Sequence, residues 1–390
     1  MKRVFFAALL LLTMIAACGM AQPVIPPDEF PAYGSSWNLN NTGLMFTDGE
    51  YFYVNANDGR LYRLDDQLQL DRSVLDDSVK GISRMTYMED EQTLYFLADR
   101  IGKDKTGGLC KVRLRGGFAD GPIECLVKGV VANYAINEDY ICYQVDGYKG
   151  VYRIDHDGEG RFRLSRHQVQ KKNPAVRMHI DGDTLYYINL DDHYLWSVPV
   201  NARTENEARV FINRPMHYYI VAPYVRRGAK TAEEIFIYVE YAKNTAALDK
   251  AHLAAVDRFG ERIAELDFLR DIQTRYINYH QGVLYYVDNT VTPQMPRWIR
   301  LDGTAQGGIY VEGQGDLKAF RASDGTHWKF NDRIGYIHIF DGWAAMKELG
   351  ENFVYTNPRT GRSDVTGGAG SDIWFINLET LESYRCHLPD

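Results

Sequence analysis

Five cysteines, ten histidines and 52 aspartates and glutamates are the reactive side chains of this 390-residue sequence. Their spacing limits the chemistry they can do. No Cys-x-x-Cys occurs, so zinc and thioredoxin-like centres have no support. The histidines are scattered, with no His-Glu-x-x-His pair to grip a metal from one helix face. Each reads first as a strand-face or turn residue. No Gly-x-Ser-x-Gly elbow presents a nucleophilic serine, and neither a phosphate loop nor a dinucleotide fingerprint is found. Asp155-His-Asp-Gly-Glu-Gly160 is like part of a calcium loop but lacks its distal bidentate Glu. A hairpin turn explains it more simply, as it does Asp181-Gly182-Asp183. No cofactor and no metal is expected.

Two cysteines have a spacing with meaning. Cys110 and Cys125 flank the turn region Arg115-Gly-Gly-Phe-Ala-Asp120. A hairpin there sets residues whose numbers add to 235 opposite each other, and Cys110 then faces Cys125. A disulfide closing a loop of about 15 residues contributes about 3 kcal/mol in the chain-entropy account. The alternative is two buried free thiols. Cys142, between Ile141 and Tyr143, reads as a core thiol, and Cys386 has no assignment.

Cys18 sits in a different context. Residues 1–17 have the layout of a secretory leader, with Lys2 and Arg3 ahead of the apolar run Val4 to Leu12. That run is too short to span a bilayer. The leader ends Ile15-Ala16-Ala17-Cys18, which resembles the bacterial lipobox: an aliphatic residue, two small residues, then Cys. The resemblance implies that Cys18 becomes the lipidated N-terminus, so that the membrane is a partner through the attached chains. Burial of about 0.8 kcal/mol per CH₂ over several chains makes a durable anchor. The alternative is an ordinary leader cut after Ala17 or near Ala21. Residues 18–33 then form a tether with Pro23, Pro26, Pro27 and Pro31 that lifts the body off the membrane. An extracytoplasmic location permits disulfides.

From residue 34 to 390 the chain repeats a two-stroke unit. Tyr51-Phe-Tyr-Val54 is a first stroke, Asn57-Asp-Gly59 a turn, and Leu61-Tyr-Arg-Leu64 a second stroke. First strokes recur at Leu94, Ile141, Leu185, Phe236, Leu284 and Phe353, and second strokes at Leu109, Val151, Leu195, Leu253, Trp298 and Ile373. Tyr, Phe, Val and Ile suit a pleated, half-buried surface, and Asp-Gly closes hairpins. A period of roughly 45 residues is that of a propeller blade. A single four-stranded unit cannot bury both faces, whereas a closed ring of such units can. The fold predicted is all-β: one propeller of four-stranded blades, seven in number, with six or eight as alternatives. An insertion is expected over residues 314–340, ahead of the last blade, and a Gly/Ser-rich loop from Pro358 to Ser371. The Asp after the second stroke (Asp65, Asp155, Asp257, Asp302) recurs at one place in the unit, which points to a turn role.

The net charge of −8 favours solubility. No basic stripe stands out, and no nucleic-acid partner is expected.

The Asn38…Asn41-Thr-Gly43 opening, the strokes at Tyr51 and Leu61, and the repeats Val151-Tyr-Arg-Ile-Asp-His-Asp-Gly158 and Trp298-Ile-Arg-Leu-Asp-Gly-Thr304 together resemble a known family. It is the bacterial propeller domain described as low-density-lipoprotein-receptor-related-protein-like. The resemblance is strongest over residues 34–70. It implies an exported propeller and supplies no catalytic residues.

The function expected is that of a lipid-anchored, extracytoplasmic binding module without catalysis. Inter-stroke loops differ in length between blades and lie on one rim, so specificity would reside there. A cell-envelope glycan, a peptide or a protein is the candidate partner, and Tyr148 and Tyr194 lie near those loops. One alternative is a carbohydrate-active propeller enzyme, a hydrolase or lyase. It would need paired carboxylates about 5–9.5 Å apart, contributed by separate blades. Another is an envelope-assembly scaffold like the lipoprotein propeller of outer-membrane protein insertion, whose Ala-Leu-Asp and Gly-x-x-x-Trp strokes are not seen here.

Overall fold

A computed structural model describes residues 45–56, 58–102, 106–168, 178–241, 251–274, 277–288, 295–308, 334–340, 342–356, 363–378, 380 and 383–388. Cys18, the leader, the tether and residues 34–44 lie outside the described residues. The described residues form seven antiparallel sheets in sequence order, arranged as the blades of a seven-bladed β-propeller, and one small two-stranded sheet besides. Each blade is a meander. Blade three shows the pattern, with Val131–Ile136 innermost, then Ile141–Val145, Val151–Ile154 and Phe162–Ser165 at the periphery.

The two strokes are the second and third strands of the blades. Leu61–Leu64, Ile141–Val145 and Val151–Ile154 coincide with the expected bounds. Their apolar and aromatic side chains alternate between two packed faces, because every blade is covered on both sides. Tyr53, Tyr95, Tyr143 and Tyr187 are fully buried or nearly so.

Blade five departs from four strands. Among the described residues it has Met216–Tyr224, Glu233–Glu240 and Leu253–Asp257. Beside the outer edge lie the 3₁₀ segment Ala264–Asp271 and two isolated bridges, His252 with Gln273 and Val256 with Arg262. Leu266 and Leu269 of that segment are buried and take over the apolar cover.

Blade seven corrects the sequence reading. Ile334–Phe340, expected inside an insertion, is its innermost strand and pairs with Trp343–Thr356. The first stroke is therefore not Phe353–Thr356 but the stretch around Ala344 to Lys347, which pairs with Ile373 to Ile376. Two alanines where other blades carry aromatics concealed it. The same two strands continue outward past the blade body, Leu349 opposite Ala369 and Thr356 opposite Ser363. Most of the expected loop from Pro358 to Ser371 is thus strand, since Ser363–Asn377 is continuous. Residues 357–362 lie outside the described residues.

The ring closes by packing of blade one against blade seven. Met45, Val54 and Leu64 share one apolar cluster with Ala345, Ile373, Phe375, Cys386 and Leu388. Phe52 meets the Trp343 ring edge-on at 6.1 Å, and Gln69 Nε2 donates to the Arg385 carbonyl at 2.8 Å. All four strands of blade one are consecutive in sequence, as are those of blade seven. Among the described residues, closure therefore uses apolar burial and the Gln69–Arg385 bond rather than an exchanged strand.

Candidate functional site

The meander fixes which loops share a rim. The second strand of a blade ends, and the third begins, on one side of the ring. The innermost strand begins on that side too, and the outermost ends there. All inter-stroke loops and all blade-to-blade connections therefore lie on one rim, and the other two hairpin turns on the opposite one.

The opposite rim is built from a repeated turn. Asp65 Oδ1 accepts from the backbone N–H groups of Gln67 and Gln69, both at 2.9 Å. Asp257 Oδ1 does the same for Phe259 at 2.9 Å and Glu261 at 3.0 Å, and Asp302 Oδ1 for Thr304 at 2.9 Å. In the turn at Asp155, the Asp155 N–H donates to the Glu159 carbonyl and Gly158 returns a bond to Asp155. The carboxylates of Asp65, Asp257 and Asp302 hold Asx turns, and in the Asp155 turn the side-chain acceptor is Asp157 Oδ1, bonded by the Glu159 N–H at 2.9 Å. His156, in the calcium-like stretch, bonds Glu91 Oε1 through Nδ1 at 2.8 Å and Asn137 O through Nε2 at 2.8 Å. Its neighbours are thus those of an inter-blade tie.

The loop-bearing rim is different in kind. Across blades three to five it carries a patch of aromatic and imidazole rings. His193, in the inter-stroke loop of blade four, stacks on Tyr241 with centroids 3.7 Å apart. His217, at the start of blade five, lies 4.8 Å from the same ring. His167, just after the last strand of blade three, contacts Trp196 at 4.2 Å, and its Nδ1 is 2.8 Å from the Tyr187 hydroxyl. Trp196 Nε1 donates to Asp192 Oδ2 at 3.0 Å. Backbone bonds stitch the loops: Gly150 N–H to His167 O, Leu190 N–H to Gln168 O, Met216 N–H to His193 O. Lys149 and Asp191, 3.5 Å apart, pair across blades three and four.

His193 has φ 63°. A β-carbon makes that region costly, and such strain is concentrated where surroundings over-determine a conformation. Burial lowers the pKa of His167 from its ordinary value, with Asp192 and Asp191 opposing. A neutral imidazole is the outcome near neutral pH, able to give or take one hydrogen bond. Tyr148, two-thirds exposed, offers an open ring at the edge of the patch. Tyr194 is half-buried, its N–H bonded to Asp192 Oδ1 at 2.8 Å.

A second feature lies on the same rim between blades two and three. A cavity of about 270 Å³ is lined by Arg84, Asp99, Asp146 and Val130 among others. Arg84 is buried, has φ 54°, and donates through a guanidinium N–H to Asn133 Oδ1 at 2.9 Å. Glycines shape the wall: a Cβ on Gly107 would lie 1.8 Å from the Ala98 carbonyl oxygen, and one on Gly108 1.9 Å from that of Val127.

The cysteines fall where the hairpin arithmetic put them. Cys125 sits directly opposite Cys110, as Glu124 sits opposite Lys111. Both thiols are free in this structure. Burial and a contact with Cys125 push the Cys110 thiol well above its usual range. Cys142 is a fully buried thiol, and Cys386 packs in the seam between blades one and seven. Among the described residues no three of His, Cys, Asp and Glu converge on a common point suited to a metal ion. Lys103 and Lys105 of the blade-two loop lie outside the described residues, while its Arg100–Ile101 pairs with Val79–Lys80.

The meander puts the inter-stroke loops on one rim, as expected, while the sequence singles out few of the residues found there. His193, His217, Tyr241 and Arg84 carry no motif. The one available signal was position, since all lie at a stroke end or a blade start.

No family model and no curated protein matches the chain. Solved structures of similar course include a prolyl endopeptidase, at 11% identity over 92% of this chain and 52% of that chain, TM-score 0.47. The dihydro-heme d1 dehydrogenase NirN in complex with DHE has 9% identity over 95% of this chain and 77% of its own, TM-score 0.46. TolB from Acinetobacter baumannii has 9% identity over 67% and 64%, TM-score 0.39. These are β-propeller proteins, and the likeness is one of fold.

Proposed function

We propose that this protein is a lipid-anchored, extracytoplasmic recognition module that binds its ligand on the loop-bearing rim without catalysis. A cell-envelope glycan, a peptide or an envelope protein is the ligand sought. The observation that carries the reading is the contrast between rims. One repeats Asx turns, with the exposed Phe259 ring and Phe118 under Arg72 as aromatic groups beside them; the other gathers imidazoles next to aromatic rings and a cavity onto loops braced by backbone bonds. A scaffold that is rigid beneath variable loops is the usual platform for binding. Cys18 as the lipidated residue, residues 1–17 as its leader, and kinship to the low-density-lipoprotein-receptor-related-protein-like propellers complete the reading.

The test is an array of glycans, peptidoglycan fragments and peptides probed with the protein, scoring binding and product release together. Binding without turnover, weakened by Tyr241→Ala, is the expected result. Turnover would replace the reading by a carbohydrate-active enzyme. Binding untouched by every substitution on this rim would sink the placement of the site.

A further inference from the structure

A cavity of about 110 Å³ lies on blade five, beside the third strand Leu253–Asp257 and the 3₁₀ segment Ala264–Asp271. Tyr238 forms part of its lining. Side chains alternate along a strand, so Tyr238 leaves the blade on the same face as Phe236, whose ring meets Phe211 of blade four at 5.3 Å. Its partner across the sheet is Ala254. That alanine also lines the cavity, and it leaves open the space a longer side chain would fill. Tyr238 is 5% exposed. Its hydroxyl has no hydrogen-bond partner among the described residues, and it is not sealed from solvent either. A nearly buried donor without an acceptor is costly, and the cavity is the space it opens on.

Three arginines line the same space: Arg214 from the connection between blades four and five, and Arg262 and Arg270 from the 3₁₀ segment and its approach. Arg262 donates through Nε to Asp267 at 2.7 Å, and Glu240 lies 4.0 Å from an Arg270 nitrogen. Arg214 has no ion-pair partner among the described residues. Burial pushes the Tyr238 phenol above its usual range and Glu240 adds to that, while the charges of Arg214, Arg270 and Arg262 all pull the other way. The three guanidinium groups are thus near enough to act on one oxygen. Three cations against two carboxylates leave one positive charge over. The phenol keeps its proton near neutral pH, so it donates.

We propose that this cavity is a binding site for one singly charged oxyanion group, a carboxylate or a phosphodiester, with the Tyr238 hydroxyl and the Arg214 guanidinium as its donors. The charge balance selects the class. A cation would face three arginines, a neutral group would leave Arg214 unpaired, and a dianion would exceed the single charge left over. The size agrees, because a space of about three or four waters, at roughly 30 Å³ each, admits a head group and not a whole sugar. The rest of the ligand must therefore lie outside. Tyr241 follows Glu240, and its N–H donates to the Pro215 carbonyl beside Arg214, so the cavity adjoins the patch of rings. The inference rests on the loop-bearing rim being the binding face, and it adds the charge that a ligand held there must carry.

The test is calorimetric titration of the full chain in detergent micelles, at matched ionic strength, with galacturonate and dimethyl phosphate. Each is set beside its uncharged ester, methyl galacturonate or trimethyl phosphate. At least one anion is expected to bind about tenfold or more tightly than its ester, the size of a charge-assisted contact, and the tighter of the two names the source of the group. Tyr238→Phe removes a hydroxyl that bonds nothing among the described residues, so it is expected to weaken the anion several-fold and leave the melting point unchanged. Arg214→Gln, at an exposed position, is expected to weaken it about tenfold. Arg258→Gln, exposed in a turn of the opposite rim, is expected to change nothing. Esters that bind as well as the anions, no binding of either anion, or a loss with Arg258→Gln equal to that with Arg214→Gln would overturn the inference. So would anion binding indifferent to both Tyr238→Phe and Arg214→Gln. If array ligands bind through Tyr241 while neither anion binds, this site fails and the rim reading stands. If the anions bind as expected and no array ligand depends on the rim, the broader reading fails alone.

Discussion

At the scale of single residues, burial controls what the polar groups do. His179 is buried, with Nδ1 2.7 Å from the Tyr219 hydroxyl, and its pKa falls to about 3. His338 is buried likewise, with its pKa also near 3. In the unfolded chain both return to about 6.5. Above that pH neither state binds the proton and the pair contributes no slope. Below it the unfolded chain takes up protons that the folded ring refuses, so stability falls as pH drops from about 6.5 toward about 3. Linkage sets the loss at roughly 1 kcal/mol per pH unit for each histidine. Melting curves between pH 7 and pH 4 should show this decline, and His179→Gln should flatten it by about half. A pH-independent melting point over that range would contradict the burial of both rings. Cys110 and Cys125 make a second prediction at this scale. Oxidation should link them, detected as a cross-linked peptide by mass spectrometry, and raise stability by about 3 kcal/mol. A reduced pair after oxidative refolding would instead mark them as core thiols.

At the scale of elements, the seam between blades one and seven is where the ring is most exposed to single changes. Phe375 is fully buried there, in the one contact layer that joins the chain's first and last blades. Phe375→Ala should cost about 3–5 kcal/mol, read as a lower midpoint in urea. A loss no greater than for an exposed phenylalanine such as Phe259 would show that the seam does not hold the ring. Sequence and structure compare most clearly at this level. The paired strokes were legible because their aromatic and β-branched residues must fill two faces at once. Innermost strands were hard to see because they carry buried polar residues such as Asn133, His179 and His338. Blade seven was misread because Ala344 and Ala345 pack in a tight place and look nothing like a stroke. The site was less legible than the fold. His193, His217 and Tyr241 are each 24 residues from the next in sequence, and only the stacking of blade four on blade five brings their rings together.

At the scale of the whole molecule, the expected anchor gives a simple prediction. Cys18→Ala should move the protein from the membrane fraction to the soluble one while its melting point stays unchanged, because the described ring begins at Met45. Retention in the membrane fraction would point to attachment by other means. The path of the meander has one more implication. Met45 opens an innermost strand and His387 ends an outermost one, so the chain enters and leaves the ring on the loop-bearing side. The proposed anchor at Cys18 precedes the ring, so a chain that enters on the loop-bearing side would bring the rings and the cavity toward the bilayer. On that reading, shortening the 18–33 segment should restrict the protein to targets lying against its own membrane.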